Sequence, residues 1–191
     1  MAYIRIEMES NETKIIIAGF GGQGVVLTGN VIARAAVIEG KNITGMVSYG
    51  AEMRGGTANS TVIISDDEIA SPFVQTPDVA IIMNQPSLDK FEPGIKPGGT
   101  VIVNTSMLMH SVSRTDLTVG SIDATNIARQ IGNVRVANIV ALGAFVKTTK
   151  LLKVESINKA IKDLFSTKKA ELVDINLKAF AMGLEAVEVA K

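Results

Sequence analysis

The 191-residue chain contains no cysteine. That absence removes disulfides, thiolate nucleophiles, Cys-ligated zinc and Cys-held iron–sulfur clusters together. There is one histidine, His110, with no carboxylate cluster in the sequence around it to complete a metal site. In the loop-like "SMLMHSVSR" it reads as a surface or satisfied polar group, and Met107 and Met109 beside it read as gap-filling or interface residues. Aromatics make up 4% of the chain, and 19 basic residues balance 19 acidic ones. Neither the stacking platforms nor the cationic footprint of a nucleic-acid binder is present. The longest apolar run, near Val136–Val146, is interrupted by Asn138 and falls short of the about 20 residues that span a bilayer. The N-terminal "MAYIRIEMESNETK" lacks the apolar core of a signal peptide. A soluble cytoplasmic protein is expected, with neither a membrane nor a nucleic acid as partner.

What is present is an alternation of strand-type and helix-type segments. "TKIIIAGF" (Thr13–Phe20), "NITGMVSY" (Asn42–Tyr49), "TVIIS", "DVAIIMN" (Asp78–Asn84) and "TVIVN" (Thr100–Asn104) read as strands, several as the continuous apolar runs of a sheet covered on both faces. A helix is predicted after Gly24, with Val25, Val26, Ile32, Ala35, Ala36 and Ile38 near one side, ending at Gly40. A short helix ends near Phe91, and Asp123 is placed to cap another. From Asn138 onward the pattern is helical to about Val189, with Val173, Leu177, Phe180, Leu184 and Val187 forming one buried face. That face could serve the core or a partner chain, which leaves a homodimer of the isolated chain open. The fold class is α/β: a three-layer α/β/α sandwich with a largely parallel sheet and a helical C-terminal part. Residues 1–191 form a single domain, with 1–12 as an N-terminal extension and 138–191 as the helical part.

Two stretches carry candidate chemistry. In "IAGFGGQGVVLTG", Gly19, Gly21 and Gly24 satisfy G-x-G-x-x-G between a strand and a helix. Glycines permit positive φ and close backbone approach, and the helix behind them aims unpaired N–H groups at the turn. A dinucleotide site also wants an acidic residue at the end of the second strand. Here that strand ends in "MVSYG"; Glu39 comes before it and Glu52 after it. No Gly-Lys-Ser/Thr follows, so a P-loop fails as well. Gly21, Gly22, Gln23 and Gly24 therefore read as an anion turn, a subunit contact or a packing turn, with Gln23 able both to donate and to accept.

The second stretch, "SYGAEMRGGTANS", sets Ser48, Tyr49, Gly50, Glu52, Arg54, Gly55 and Gly56 together. In a doubly wound sheet the loop ends of the first two strands lie side by side, which would bring these residues to the glycine turn. Arg54 could grip a carboxylate or phosphate bidentately; it could equally pair with Glu52 to order the loop.

"GFGGQGVVLTG", then "SYGAEMRGGTANSTVIISDDEI" and "PDVAIIMNQPSLDKF", resembles the gamma subunit of 2-oxoacid:ferredoxin oxidoreductases. "NIVALGAF" (Asn138–Phe145) is similar to the family's Asn-x-x-x-Leu-Gly stretch and adds Asn138 to the candidates. The resemblance covers roughly Lys14–Phe180, and "SYGAEMRGG" looks closer to the 2-oxoglutarate branch than to the pyruvate branch. Ala51 stands where family members usually have Pro. The resemblance implies a complex that decarboxylates a 2-oxoacid oxidatively on thiamine diphosphate and Mg²⁺, passes electrons through iron–sulfur clusters to ferredoxin, and hands the acyl group to coenzyme A. It implies alpha and beta subunits as partners, a delta, ferredoxin-like subunit with them, and no cofactor and no catalytic residue on this chain alone. The glycine-rich loops would line the active site or the coenzyme A passage. A stand-alone nucleotide-binding oxidoreductase and a non-catalytic scaffold are the alternatives.

Overall fold

A computed structural model of the chain describes residues 11–49, 57–165 and 170–191. The apolar run at the start becomes strand β1 (Thr13–Phe20). Its Ile15 and Ile17 join the larger hydrophobic cluster, while Ile16 and Ala18 join a second one. Both faces are thus buried, as the unbroken run of isoleucines requires. Strands β2 (Asn42–Tyr49), β3 (Thr57–Ser65), β4 (Val79–Ile82), β5 (Thr100–Asn104), β6 (Thr118–Ile122) and β7 (Glu188–Ala190) complete a sheet in the order β2-β3-β1-β4-β5-β6-β7. Neighbours β1, β4, β5 and β6 pair in parallel. Strand β2, two antiparallel steps from β1, points the same way; β3 and β7 run against them. The sheet is mixed and mostly parallel.

Helices α1 (Val25–Ile38), α3 (Ala124–Ile131), α4 (Ala137–Thr149), α5 (Val154–Phe165) and α6 (Ala170–Ala186) cover the face that holds the larger cluster. The other face is covered more thinly, by α2 (Gln85–Phe91) and the segments bearing Ile95, Leu108, Val112 and Leu117. Helix α4 is buried from Ala137 through Val146, on every side, and is apolar there apart from Asn138. Full burial of residues such as Leu142 and Phe145 contributes about 1.5–3 kcal/mol each. It crosses α6 with Gly143 and Gly183 at the contact: a methyl group on Gly183 would lie 2.0 Å from the Val140 carbonyl oxygen.

Three expectations are corrected. Strands β1 and β2 are not neighbours, because β3 returns antiparallel from β2 and lies between them. The third strand begins at Thr57, several residues before the "TVIIS" run. The C-terminal part is not helical to Val189: α6 stops at Ala186 and Glu188–Ala190 pair with β6. These three residues supply backbone hydrogen bonds to an edge, a role that leaves no side-chain period in the sequence.

Candidate functional site

The parallel strands β1 and β4 end side by side, Ala18 opposite Ile82. From there the chain departs to opposite sides: α1 leads towards β2, and α2 leads to β5. Such a reversal opens a crevice beyond the strand ends, where α/β sheets place ligands.

The glycine turn forms one wall of it. Gly22 and Gly24 have φ of 95° and 74°, conformations that L side chains adopt only at a cost. The Gln23 N–H donates to the Phe20 carbonyl at 3.1 Å and closes the turn. Gly24 is the N-cap of α1; no side chain caps that terminus and no acidic residue sits in its first turn. Its free N–H groups and the positive end of the helix dipole favour an anion.

Gln23 is tied into the protein. Its Oε1 accepts from the Phe20 N–H at 2.6 Å and from Asn84 Nδ2 at 2.7 Å, and its Nε2 donates to the Met83 carbonyl at 3.3 Å. One amide hydrogen is left for anything else. Asn138, 2% exposed, rises from the start of α4 and donates through Nδ2 to the Gly24 carbonyl at 3.1 Å and to Thr28 Oγ1 at 3.2 Å. Its Oδ1 is buried with no hydrogen-bond partner among the described residues. A methyl on Gly24 would meet Asn138 Nδ2 at 2.6 Å, so this glycine is required both by its φ and by the asparagine over it.

A cavity of about 300 Å³ opens here, lined by Gly22, Gln23, Met83, Thr125, Arg129 and Arg135 among others. Asn104 braces its floor, donating to the Met83 carbonyl at 3.3 Å and to Thr125 Oγ1 at 2.9 Å. Arg129, in the last turn of α3, donates to Asn126 Oδ1 at 2.6 Å. Arg135 makes no ion pair among the described residues. Two guanidinium groups and the glycine turn around one cavity are groups chemically suited to a phosphate or carboxylate. Sequence reasoning missed Arg129 and Arg135, which lie more than a hundred residues from the turn; only the topology brings them together. It also missed Asn84.

The second stretch reaches the same edge by a different route. Phe20 stands opposite Thr57 and Tyr49 opposite Ala58, so the end of β2 and the start of β3 lie level with the end of β1, where the glycine turn begins. Ser48 is exposed near its end. Gly50, Glu52, Arg54, Gly55 and Gly56 lie outside the described residues. Asp123 occupies the N-cap position of α3, but its carboxylate makes no cap bond; it accepts from Ser106 Oγ and, at 3.1 Å, from Asn126 Nδ2. His110 is exposed, 3.2 Å from Asp89 and 2.7 Å from Gln85 Nε2. It borders a larger groove of about 440 Å³ on the thinly covered face, whose lining residues include no lysine or arginine. Among the described residues no group of three His, Asp or Glu could hold a metal ion, and no helix is long and apolar enough to cross a membrane.

The family model for pyruvate ferredoxin/flavodoxin oxidoreductase matches residues 14–186. The ketoisovalerate oxidoreductase subunit VorA of Methanothermobacter thermautotrophicus is 39% identical over 93% of this chain, which spans only 37% of that protein. The 2-oxoglutarate synthase subunit KorC of Methanocaldococcus jannaschii is 38% identical over 92% of this chain and 94% of its own length. Among solved structures, the keto/oxoacid ferredoxin oxidoreductase gamma subunit of Geobacter sulfurreducens aligns with a TM-score of 0.77 at 34% identity, over 91% of this chain and 96% of that one. The 2-oxoglutarate:ferredoxin oxidoreductase of Magnetococcus marinus, with 2-oxoglutarate, coenzyme A and succinyl-CoA bound, aligns with a TM-score of 0.84 at 25% identity, over 93% of this chain and 31% of that one.

Proposed function

Because the chain belongs to the pyruvate ferredoxin/flavodoxin oxidoreductase family, we propose that it acts as the gamma subunit of a 2-oxoacid:ferredoxin oxidoreductase and receives coenzyme A at the glycine turn. The observation that carries this reading is the cavity where Gly22, Gln23, Arg129 and Arg135 meet. A phosphate-bearing acyl acceptor suits those groups, and a structural relative holds coenzyme A.

The complex would convert a 2-oxoacid and coenzyme A to acyl-CoA and carbon dioxide, with the two released electrons going to ferredoxin. Alpha and beta subunits, with a delta, ferredoxin-like one, would accompany this chain. Thiamine diphosphate with Mg²⁺, held by those subunits, would supply the carbanion-stabilising chemistry. The iron–sulfur clusters belong to cysteine-bearing partners, since this sequence offers no thiolate. The residues of this chain bind and orient. Backbone N–H groups of the turn and the arginines would fix a phosphate, and Arg54 would meet a phosphate or carboxylate of the same substrates. The 2-oxoglutarate preference rests on "SYGAEMRGG" and on the likeness to KorC; VorA, equally similar, is named for ketoisovalerate.

The test is steady-state kinetics of the reconstituted complex carrying Arg54→Ala or Arg135→Ala. A raised KM for coenzyme A with assembly intact supports the reading. Unchanged KM values for both coenzyme A and the oxoacid, in both variants, would overturn it.

A further inference from the structure

We propose that Asn84 is a positioning residue for the glycine turn and acts through Gln23; its bearing on coenzyme A rests on the function proposed above. Asn84 is 1% exposed and is not among the cavity-lining residues, so it would not touch a ligand itself. Its orientation is dictated by a neighbouring helix. As the N-cap of α2 it accepts the Ser87 N–H through Oδ1 at 3.0 Å. That leaves Nδ2 pointing at Gln23 Oε1, 2.7 Å away.

Gln23 then has one orientation open to it. With its oxygen towards Asn84 Nδ2 it also accepts the Phe20 N–H at 2.6 Å, and its nitrogen reaches the Met83 carbonyl. Flipping the amide would set an NH₂ against two donors and an oxygen against a carbonyl, taking the acceptor from the Phe20 N–H and from the buried Asn84 Nδ2. Phe20 is the last residue of β1, and its carbonyl accepts the Gln23 N–H that closes the turn. A polarity set at the start of α2 is thus handed across to the start of α1. It fixes where the Gly21–Gly24 amides point. Nothing in the sequence spacing, with Gln23 and Asn84 61 positions apart, announces the link.

The experiment separates donor from cap. Asn84→Asp keeps an acceptor for Ser87 and removes the donor to Gln23. Asn84→Ser, which also caps well, is the second variant should a buried carboxylate prevent folding. Gln23→Leu removes the relay, and Gln23→Glu keeps an oxygen for both donors. In the full chain, amide hydrogen exchange at Phe20 is expected to speed up in Asn84→Asp and Gln23→Leu. It should speed up no further in the double variant and should stay close to wild type in Gln23→Glu. In the reconstituted complex, Asn84→Asp is expected to raise the KM for coenzyme A about tenfold, the loss of one hydrogen bond, while kcat at saturating coenzyme A falls far less. Additive effects in the double variant, or wild-type Phe20 exchange in both Asn84 variants, overturn the proposal. If Arg135→Ala raises that KM and the Asn84 variants do not, the positioning role falls and the coenzyme A reading stands. If Phe20 exchange responds as expected but no variant, Arg135→Ala included, moves the KM, the coenzyme A reading falls and the relay stands.

Discussion

Replacing Gly183 by alanine tests the packing that holds the helical layer. The added methyl would sit 2.0 Å from the Val140 carbonyl oxygen, 2.8 Å from its carbonyl carbon and 3.1 Å from its Cα. All three obstacles are main chain of α4, which is buried along most of its length and has no side chain to swing aside. A carbon approaches a carbonyl oxygen to about 3.3 Å, so α6 must retreat by roughly 1.3 Å. Gaps of that size forfeit a large part of the dispersion contact along the seam. Overpacking of this kind costs up to about 3 kcal/mol, while alanine returns about 1 kcal/mol of helix propensity. The net is about 2 kcal/mol of destabilisation, a Tm lowered by roughly 4–8 °C for a domain of this size. Thermal unfolding followed by circular dichroism reads it directly. Gly21→Ala is the internal control, since nothing among the described residues lies within 4 Å of a methyl there, and it should melt with the wild type. If Gly183→Ala melts at or above the wild type, the close crossing of α4 and α6 is wrong.

Gly24→Ala is expected to lower Tm by several degrees: positive φ costs about 1–2 kcal/mol, and Asn138 must also move aside. Its calorimetric melt should fall below that of Gly21→Ala, and equal melting would remove the asparagine clamp from the argument. In the complex, Arg135→Ala should raise the KM for coenzyme A several-fold, and raised salt should shrink the difference from wild type because the charge is exposed. At acid pH, Asp116 matters. The Arg114 guanidinium, helped by the Gly98 N–H, holds its carboxyl down at about 2. A folded value below the ordinary one contributes stability that is present above about pH 4 and lost as pH falls towards about 2. Urea titrations of Asp116→Asn between those limits should therefore show a shallower acid loss than the wild type, by a small margin for so exposed a pair. Identical slopes would contradict the ion pair.

Much of the fold is legible in the residues. Ile15 through Ala18 announce a doubly covered strand because four consecutive apolar side chains leave no face for water. Val25, Ile32, Ala35 and Ala36 announce the buried side of α1 by spacing alone. The glycine turn is legible for the same reason: only a few residue types tolerate the φ of Gly22 and Gly24. What fails is whatever depends on pairing partners. Strand β3 slips between β1 and β2 because a hairpin connection brings it back antiparallel, and no periodicity encodes which edge it chooses. Strand β7 has exposed side chains and is defined by backbone bonds to β6. The site divides the same way. Gln23 stands out by its position, but Arg129 and Arg135 are ordinary surface residues until the sheet order places them around one cavity, and Asn84 is an ordinary cap residue until it is set beside Gln23.

The insertion of β3 also sets an order of events at the ribosome. β2 leaves the exit tunnel before the strand that will bind it to the sheet, so for the time it takes to make residues 50–65 its amides have only water. Once β3 is made, the β2-β3-β1 part of the sheet can close on itself, before β4, β5 and β6 add to the other edge of β1 through parallel crossovers. Synonymous changes that slow translation between codons 50 and 65 should then lengthen the exposure of that nascent edge, and soluble yield is where the delay would register.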